Sequence, residues 1–440
     1  MRTSRLAMVA ITAWLASCAS QPERAPPPAP EPPPEPVVIN PGGITFAAVG
    51  DIMMGTDYPD NILPDDDGVS FLGSVKPVLS GADIAFGNLE GVLMDGGEAV
   101  KRCKPAAKPK AAANAPAANA ARAARPSDSP SPAPAQSDAD IAAVPLEETG
   151  AGAPAAAAPS SSQPAPDASA DTASNPAPTG GSCYVFRSPT RYANYLREAG
   201  FDVMSLANNH AQDFGDPGRD SSMQALNSVG IHHSGREGDV AEWTTKGRKF
   251  ALVAFAPNVG SHQLNDIVRA QEIVSELAAK HDIVIVSFHG GAEGDGASKL
   301  TFARENYAGE DRGDVVEFAR TVIDAGADLV IGHGPHVMRP IQLYRDRLIA
   351  YSLGNFATYY GISVNGIRGT SGVLVTRLAD DGRFIDAHFT STVQIRPGGP
   401  QPDPQRRALN QLRDLTTAAF PDGALTIAAD GAITATARSQ

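Results

Sequence analysis

Three cysteines among 440 residues are too few for a disulfide scaffold, and their spacing fits no zinc module. Positive charge is also short. Thirty-six Lys and Arg stand against 49 Asp and Glu, a net charge of −13, so no basic face is available to neutralise phosphates and a nucleic-acid partner is excluded. The apolar run Leu6–Leu15 is too short to span a bilayer as a helix. There is no G-x-S-x-G elbow, no P-loop and no dinucleotide fingerprint, which removes the commonest nucleophilic-serine and nucleotide-binding readings.

Three stretches are set aside before a core can be counted. Arg2 and Arg5 precede Leu6–Leu15, the pattern of a cleaved export signal over residues 1–17. The run ends Leu15-Ala16-Ser17-Cys18, which resembles the lipobox of bacterial lipoproteins, in which the cysteine is lipidated after cleavage. The other reading is an ordinary signal peptide with a chance cysteine. In the Gram-negative sorting pattern that the lipobox resembles, Ala19 after the cysteine implies the outer membrane, facing the periplasm. Residues 18–42 are then a proline-dominated tether, extended as polyproline II at roughly 3 Å per residue. Residues 104–182 are almost entirely Ala, Pro, Ser, Asp and Asn, a composition expected to stay disordered. Cys103 and Cys183 bracket that insertion, either as a disulfide closing its base or as two unpaired thiols. Residues 396–440 read as a tail with one short amphipathic helix, 405–419.

The remainder, 43–395 less the insertion, alternates apolar runs with helical patterns, as βαβ units of a largely parallel sheet do. Strands are expected at 44–49, 84–86, 203–206, 250–255, 283–288 and 329–331. Helices are expected at 190–199, with Ser188 as cap, and at 221–229, 265–280 and 314–325. Runs 341–344 and 348–353 form a hairpin, and 372–378 pairs antiparallel with 384–390. Five of the six strands end in chemistry: Asp51, then Asn88 and Glu90, then Asn208, Asn209 and His210 with Asp213 nearby, then His289 and Glu293, then His333 and His336. Ligands bind outside the carboxyl ends of strands in open α/β sheets. Imidazole, carboxylate and amide oxygen without thiolate suit a borderline divalent ion such as Mn, Zn or Fe.

The blocks VGDIMMG (49–55), GNLEG (87–91), FRSP (186–189), AGFDVMSLANNHAQDFG (199–215), SFHGGAE (287–293) and GADLVIGHGPHVMRPIQLY with IAYSLGNF resemble the bacterial poly-γ-glutamate capsule synthesis protein CapA family. The resemblance implies a calcineurin-like metallophosphatase fold, an α/β four-layer αββα sandwich. It implies a centre of one or two divalent metal ions drawn from Asp51, Glu90, Asn209, His210, His289, His333 and His336, with Asp51, Asn209 and His210 as catalytic candidates. Its substrate would be a phosphoester or an anionic envelope polymer, and its setting the cell envelope, held to the membrane by a lipid on Cys18. The superfamily's D-x-H is absent, since Asp51-Ile52-Met53 has no histidine, and its G-H-x-H is widened to His333-Gly334-Pro335-His336. A metal-dependent hydrolase and a non-catalytic binding or assembly protein therefore both stand as readings.

Overall fold

A computed structural model describes residues 42–101 and 184–436. Cys18, the tether, Cys103, Cys183 and the insertion lie outside the described residues. Among those described, no helix is long and apolar enough to cross a membrane.

Most of the described strands fall into two large sheets rather than one, with two further two-stranded pairs. The first runs Leu425–Ile427, Ala432–Ala435, Phe384–Gln394, Thr370–Leu378, Ile44–Met53, Ile84–Leu89, Val203–Ser205, His232–Ser234, with Asn355–Thr358 beside Ile44–Met53. The second runs Ile341–Tyr344, Arg347–Ala350, Leu329–His333, Ile283–His289, Arg248–Ala256, Ala241–Thr245. The second has a parallel centre and antiparallel edges. The first is parallel from Ile44–Met53 to its edge at His232–Ser234 and antiparallel from Ile44–Met53 the other way.

Burial on both faces explains why these strands read as unbroken apolar runs. Along the first strand, Phe46 and Ala48 point into the core between the sheets, where they join Phe86, Leu252, Ile285, Leu329 and Ile331. Ala47 and Val49 point the other way, onto Leu196 and Leu226 of helices Tyr192–Ala199 and Gly215–Ser228. The second sheet repeats the pattern: Val253, Val286 and Val330 pack on Val274, Phe318 and Val322 of helices Ile267–Ala278 and Val315–Asp324. The result is the αββα four-layer sandwich.

Local chemistry sets the element ends. Asp266 and Asp314 cap the helices that follow them by accepting from backbone N–H groups of the first turn. Ser188 is not a cap: its hydroxyl donates to the Gly55 carbonyl, and the helix starts at Tyr192 with no side-chain cap. The hairpin turn is the pair Arg345-Asp346, both at positive φ, as a two-residue turn matched to strand twist requires.

The segment after 395 is part of the fold rather than a tail. Helix Arg407–Ala419 turns Ala408, Leu409 and Leu412 into the core between the sheets, and it packs on strands of both. Thr416 accepts a hydrogen bond from the Ile341 backbone. The last two strands continue the first sheet past Phe384–Gln394. The composition of 420–440 hides this, because the strands are short and largely polar on their outer face.

Candidate metal and catalytic site

The parallel strands of both sheets end at the same place, and register fixes who stands beside whom. In the first sheet Asp51 is the register partner of Asn88 on one side and of Asn355 on the other. In the second, His289 pairs with His333 across neighbouring parallel strands. The approach at Asp51 is very close. A Cβ on Gly50 would sit 1.9 Å from the Gly354 carbonyl, so only glycine lets the two strands meet there.

The innermost group is Asp51, Asn88, Glu90, His289 and His333, all 0–1% exposed. Asn88 organises it. Its amide nitrogen donates to Asp51 Oδ1 at 2.9 Å and to Glu90 Oε2 at 2.5 Å, while its oxygen accepts from Asn208. Asn208 in turn donates to the Leu89 carbonyl and accepts from the His210 N–H, which seats the following turn. His333 Nδ1 lies 3.3 Å from Asp51 Oδ1, and His289 Nδ1 lies 3.7 Å from Glu90 Oε2.

His336 lies one step out, with its backbone in the left-handed region at φ 57°, a conformation that costs about 1 kcal/mol outside glycine. That turn brings Nδ1 to 2.8 Å from Asn355 Oδ1 and 3.1 Å from Asp51 Oδ2, and leaves Nε2 toward Glu293 at 3.9 Å. His210, on the far wall, has Nδ1 2.7 Å from Asp213 Oδ2 and its ring on Phe186. Lys101 forms an ion pair with Asp213 Oδ1 at 3.0 Å and donates to the Asn209 carbonyl at 3.2 Å.

Charge is unevenly distributed here. Burial would raise Asp51, but His333 and His336 outweigh it and hold the carboxyl well below its usual range. Glu90 is pushed up to about 8 by burial and then by the charge of Asp51. Burial opposes a charged His336, yet Asp51, Glu90 and Glu293 together raise it to about 10. Burial lowers His210 despite Asp213, and it lowers His289 further, with the Arg312 charge adding to the effect.

Among the described residues, Asp51 Oδ2, Glu90 Oε1, Asn209 Oδ1, His289 Nδ1 and both nitrogens of His333 are buried here without a hydrogen bond. Asp51 Oδ2, His333 Nδ1 and His289 Nδ1 still face an oppositely charged or chargeable group at 3.1, 3.3 and 3.7 Å, which leaves Glu90 Oε1, Asn209 Oδ1 and His333 Nε2 with neither. Each such atom normally costs about 1–3 kcal/mol, and buried polar groups are rarely left so. The donor set is the imidazole, carboxylate and amide mixture that suits a divalent cation. Among the described residues, however, no group of three or more His, Cys, Asp and Glu is arranged to hold a metal ion. In this arrangement Asp51 is engaged by Asn88 and His336, and His289 by Arg312.

A cleft of about 550 Å³ opens over this floor. Asn209, His210 and His336 reach it directly, whereas Asp51 and Glu90 lie beneath. Lys101, Arg312 and Arg368 bring positive charge to its walls, and Tyr184 and Tyr307 stand exposed at its edge. A larger cavity of about 630 Å³ lies beside Phe302 and Phe420, away from all seven candidates.

All seven residues expected to share a metal thus come to one end of the fold, in an inner group and an outer wall. Asn88, a strand-end group outside the seven expected ligands, and Asn355 also belong to the site, each through its contact with Asp51 or His336. Their signal was present, since each is an amide directly after a glycine at a strand end. Arg312 and Lys101 carried no motif at all.

The model of the bacterial capsule synthesis protein PGA_cap matches residues 45–125 and 168–360, more than half of the chain. The capsule biosynthesis protein CapA of Bacillus anthracis is 28% identical over 228 residues, 47% of this chain and 51% of that protein. The PGA biosynthesis protein CapA of Bacillus subtilis (strain 168) is 30% identical over 178 residues, 37% and 43% of the two chains. The chain thus spans about half the length of the curated relatives it matches. Among solved structures, the calcineurin-like phosphoesterase YfkN of Bacillus subtilis is similar at 12% identity, covering 53% of this chain and 73% of that one with a TM-score of 0.29. A likeness of that depth says nothing about activity. The two matched segments carry every strand end that supplies the site, and the chain belongs to the bacterial capsule synthesis protein family PGA_cap.

Proposed function

We propose that this chain serves the synthesis of a capsule-type anionic polymer, poly-γ-glutamate or a relative, at the cell envelope, and that its cleft is a metal-dependent hydrolytic site. The observation that supports this is the set of buried polar atoms left without a hydrogen bond under one cleft, Glu90 Oε1, Asn209 Oδ1 and His333 Nε2, on residues delivered by both sheets. Asp51, Glu90, His333 and Asn209 would hold the ion, Mn, Zn or Fe, with His336 beside Asp51 at the edge of that group. When bound, a divalent cation would supply Lewis-acid polarisation and a nucleophilic water with its pKa lowered to about 7.

The chain's own residues do the rest. Asp213 fixes His210 with its Nδ1–H directed inward, so Nε2 is left to hold or move a proton at the cleft. Lys101 and Arg368 draw an anionic phosphoester or polymer segment to the opening. A lipid on Cys18 would keep the site at the membrane.

A second reading is favoured by one observation. Among the described residues the ligands are not gathered as a metal site, and His336 already places positive charge beside Asp51. On that reading the chain binds the polymer or an assembly partner without catalysis.

Elemental analysis of the purified mature chain, with assays on an aryl phosphate and a phosphodiester, decides between them. A divalent metal lost in Asp51→Asn and His333→Ala, together with metal-stimulated hydrolysis, is the expected result. Metal without hydrolysis of any ester supports the binding protein, and absence of metal ends the hydrolase reading.

A further inference from the structure

Arg312 is a guanidinium only 1% exposed, on the short strand Glu310–Gly313, with salt bridges to Glu293 at 3.0 Å and Glu310 at 3.3 Å. Its third contact is unusual. Nη2 lies 3.2 Å from His289 Nε2. A guanidinium has donors and no acceptor, so the ring nitrogen facing it must be the acceptor. A neutral imidazole that accepts at one nitrogen carries its proton on the other. His289 therefore presents an N–H, not a lone pair, at Nδ1, which faces Glu90 Oε2 at 3.7 Å.

A metal takes the lone pair of a neutral imidazole. With Arg312 in place, His289 has none to give on the side of Asp51 and Glu90. The buried positive charge of Arg312 also stands next to the ring and opposes a cation there. We propose that Arg312 is a positioning residue that fixes the His289 tautomer, so that His289 presents an N–H rather than a lone pair on the side of Glu90 and is withheld from the metal. This rests on the hydrolase reading only for the word "metal"; the tautomer stands or falls by itself. It departs from what the family resemblance implied for His289.

Arg312 is in turn held from behind. Arg339 and Glu305, both buried, form a two-pronged ion pair at 2.7 and 3.0 Å that ties the Glu305–Gly313 hairpin to the chain just after His336. The guanidinium therefore sits over His289 by construction of the hairpin.

The test uses the mature chain labelled with ¹⁵N-histidine, the His289 signal being assigned as the one lost in His289→Gln. Long-range ¹H–¹⁵N correlation in metal-free protein should show His289 protonated at Nδ1 and bare at Nε2. Arg312→Met should move the proton to Nε2 or split the population, and Arg312→Lys, which keeps a donor, should restore the wild-type tautomer. Protonation at Nε2 in the wild type, or no change in Arg312→Met, overturns the proposal. If Arg312→Met does not fold, Mn²⁺ titration of His289→Gln still decides. An affinity within about threefold of wild type is expected, whereas loss of a metal ligand would cost more than about 100-fold, and such a loss overturns the proposal. Should the wild type bind no Mn²⁺ at all, the hydrolase reading and the withholding both fall, and the tautomer measurement alone judges the role of Arg312.

Discussion

Asp51 and His336 come from different sheets, yet their side chains stand 3.1 Å apart. This contact joins the two halves of the sandwich at the floor of the cleft. In the metal-free protein it is an ion pair, because Asp51 stays ionised and His336 keeps its proton up to about pH 10.

The first prediction concerns the pH dependence of that pair. The folded His336 value lies above the ordinary 6.5, so its stabilisation is fully present below pH 6.5 and is lost as pH rises through about 10. Metal-free wild type should therefore lose unfolding free energy between these limits, and His336→Gln should show a flatter profile. Urea titrations across the range measure both slopes. Parallel profiles would mean that His336 is not charged in the folded state.

The second prediction concerns the C-terminal segment. Leu412 is fully buried between the sheets on a helix that touches strands of both. Leu412→Ala should cost about 2–5 kcal/mol in urea unfolding, as core truncations of this type do. Ending the chain at residue 395 should give a protein without a cooperative transition. A cooperative melt near that of the full chain would return this segment to the status of a tail.

Much of this architecture was legible because apolar runs and their polar ends are properties of the sequence itself. Ile283–Phe288 followed by His289 is a buried strand with a functional terminus, whatever sheet receives it. What could not be read was which strands share a sheet. Phe46 and Leu252 lie in one core only because two sheets stack, and nothing local encodes that partnership. The same limit hid where the helix expected at 405–419 packs, since its apolar stripe gives its amphipathicity but not its partner. Within the site, residues at or just after the end of a core strand were legible, and residues arriving from elsewhere in the chain were not. Arg312 reaches His289 from a hairpin 23 positions later in the chain.

The third prediction tests that hairpin's anchor. Arg339 is fully buried and Glu305 nearly so, each satisfied mainly by the other. Arg339→Met leaves a carboxylate buried without its partner, which should cost about 3–5 kcal/mol. Arg339→Met with Glu305→Gln should recover a substantial part of this, because the stranded charge is gone. A double-mutant cycle by urea denaturation reads the coupling. Additive effects would show that the pair contributes little and that the hairpin is held by other contacts.

The fourth prediction follows from the way Asp213 is shared. Its Oδ2 accepts from the Phe186 N–H at 2.8 Å and faces His210 Nδ1, while its Oδ1 takes Lys101. The carboxylate is 0% exposed, so all its partners are protein groups and the orientation of His210 depends on them. If His210 moves a proton for hydrolysis, it does so as one unit with Asp213. His210→Gln should lower metal-stimulated turnover of an aryl phosphate by about 10²–10⁴-fold, the usual loss for a missing acid–base group. Asp213→Asn should lose a comparable factor, because an amide can offer the imidazole an N–H and so favour the wrong tautomer. The double variant should be no worse than the more damaging single one, since residues acting together are strongly non-additive. Bound metal and melting temperature, measured in parallel, separate this from simple loss of the fold. Multiplicative losses in the double variant, or a Asp213→Asn protein with unchanged turnover, would leave His210 as a wall of the cleft packed on Phe186 and nothing more.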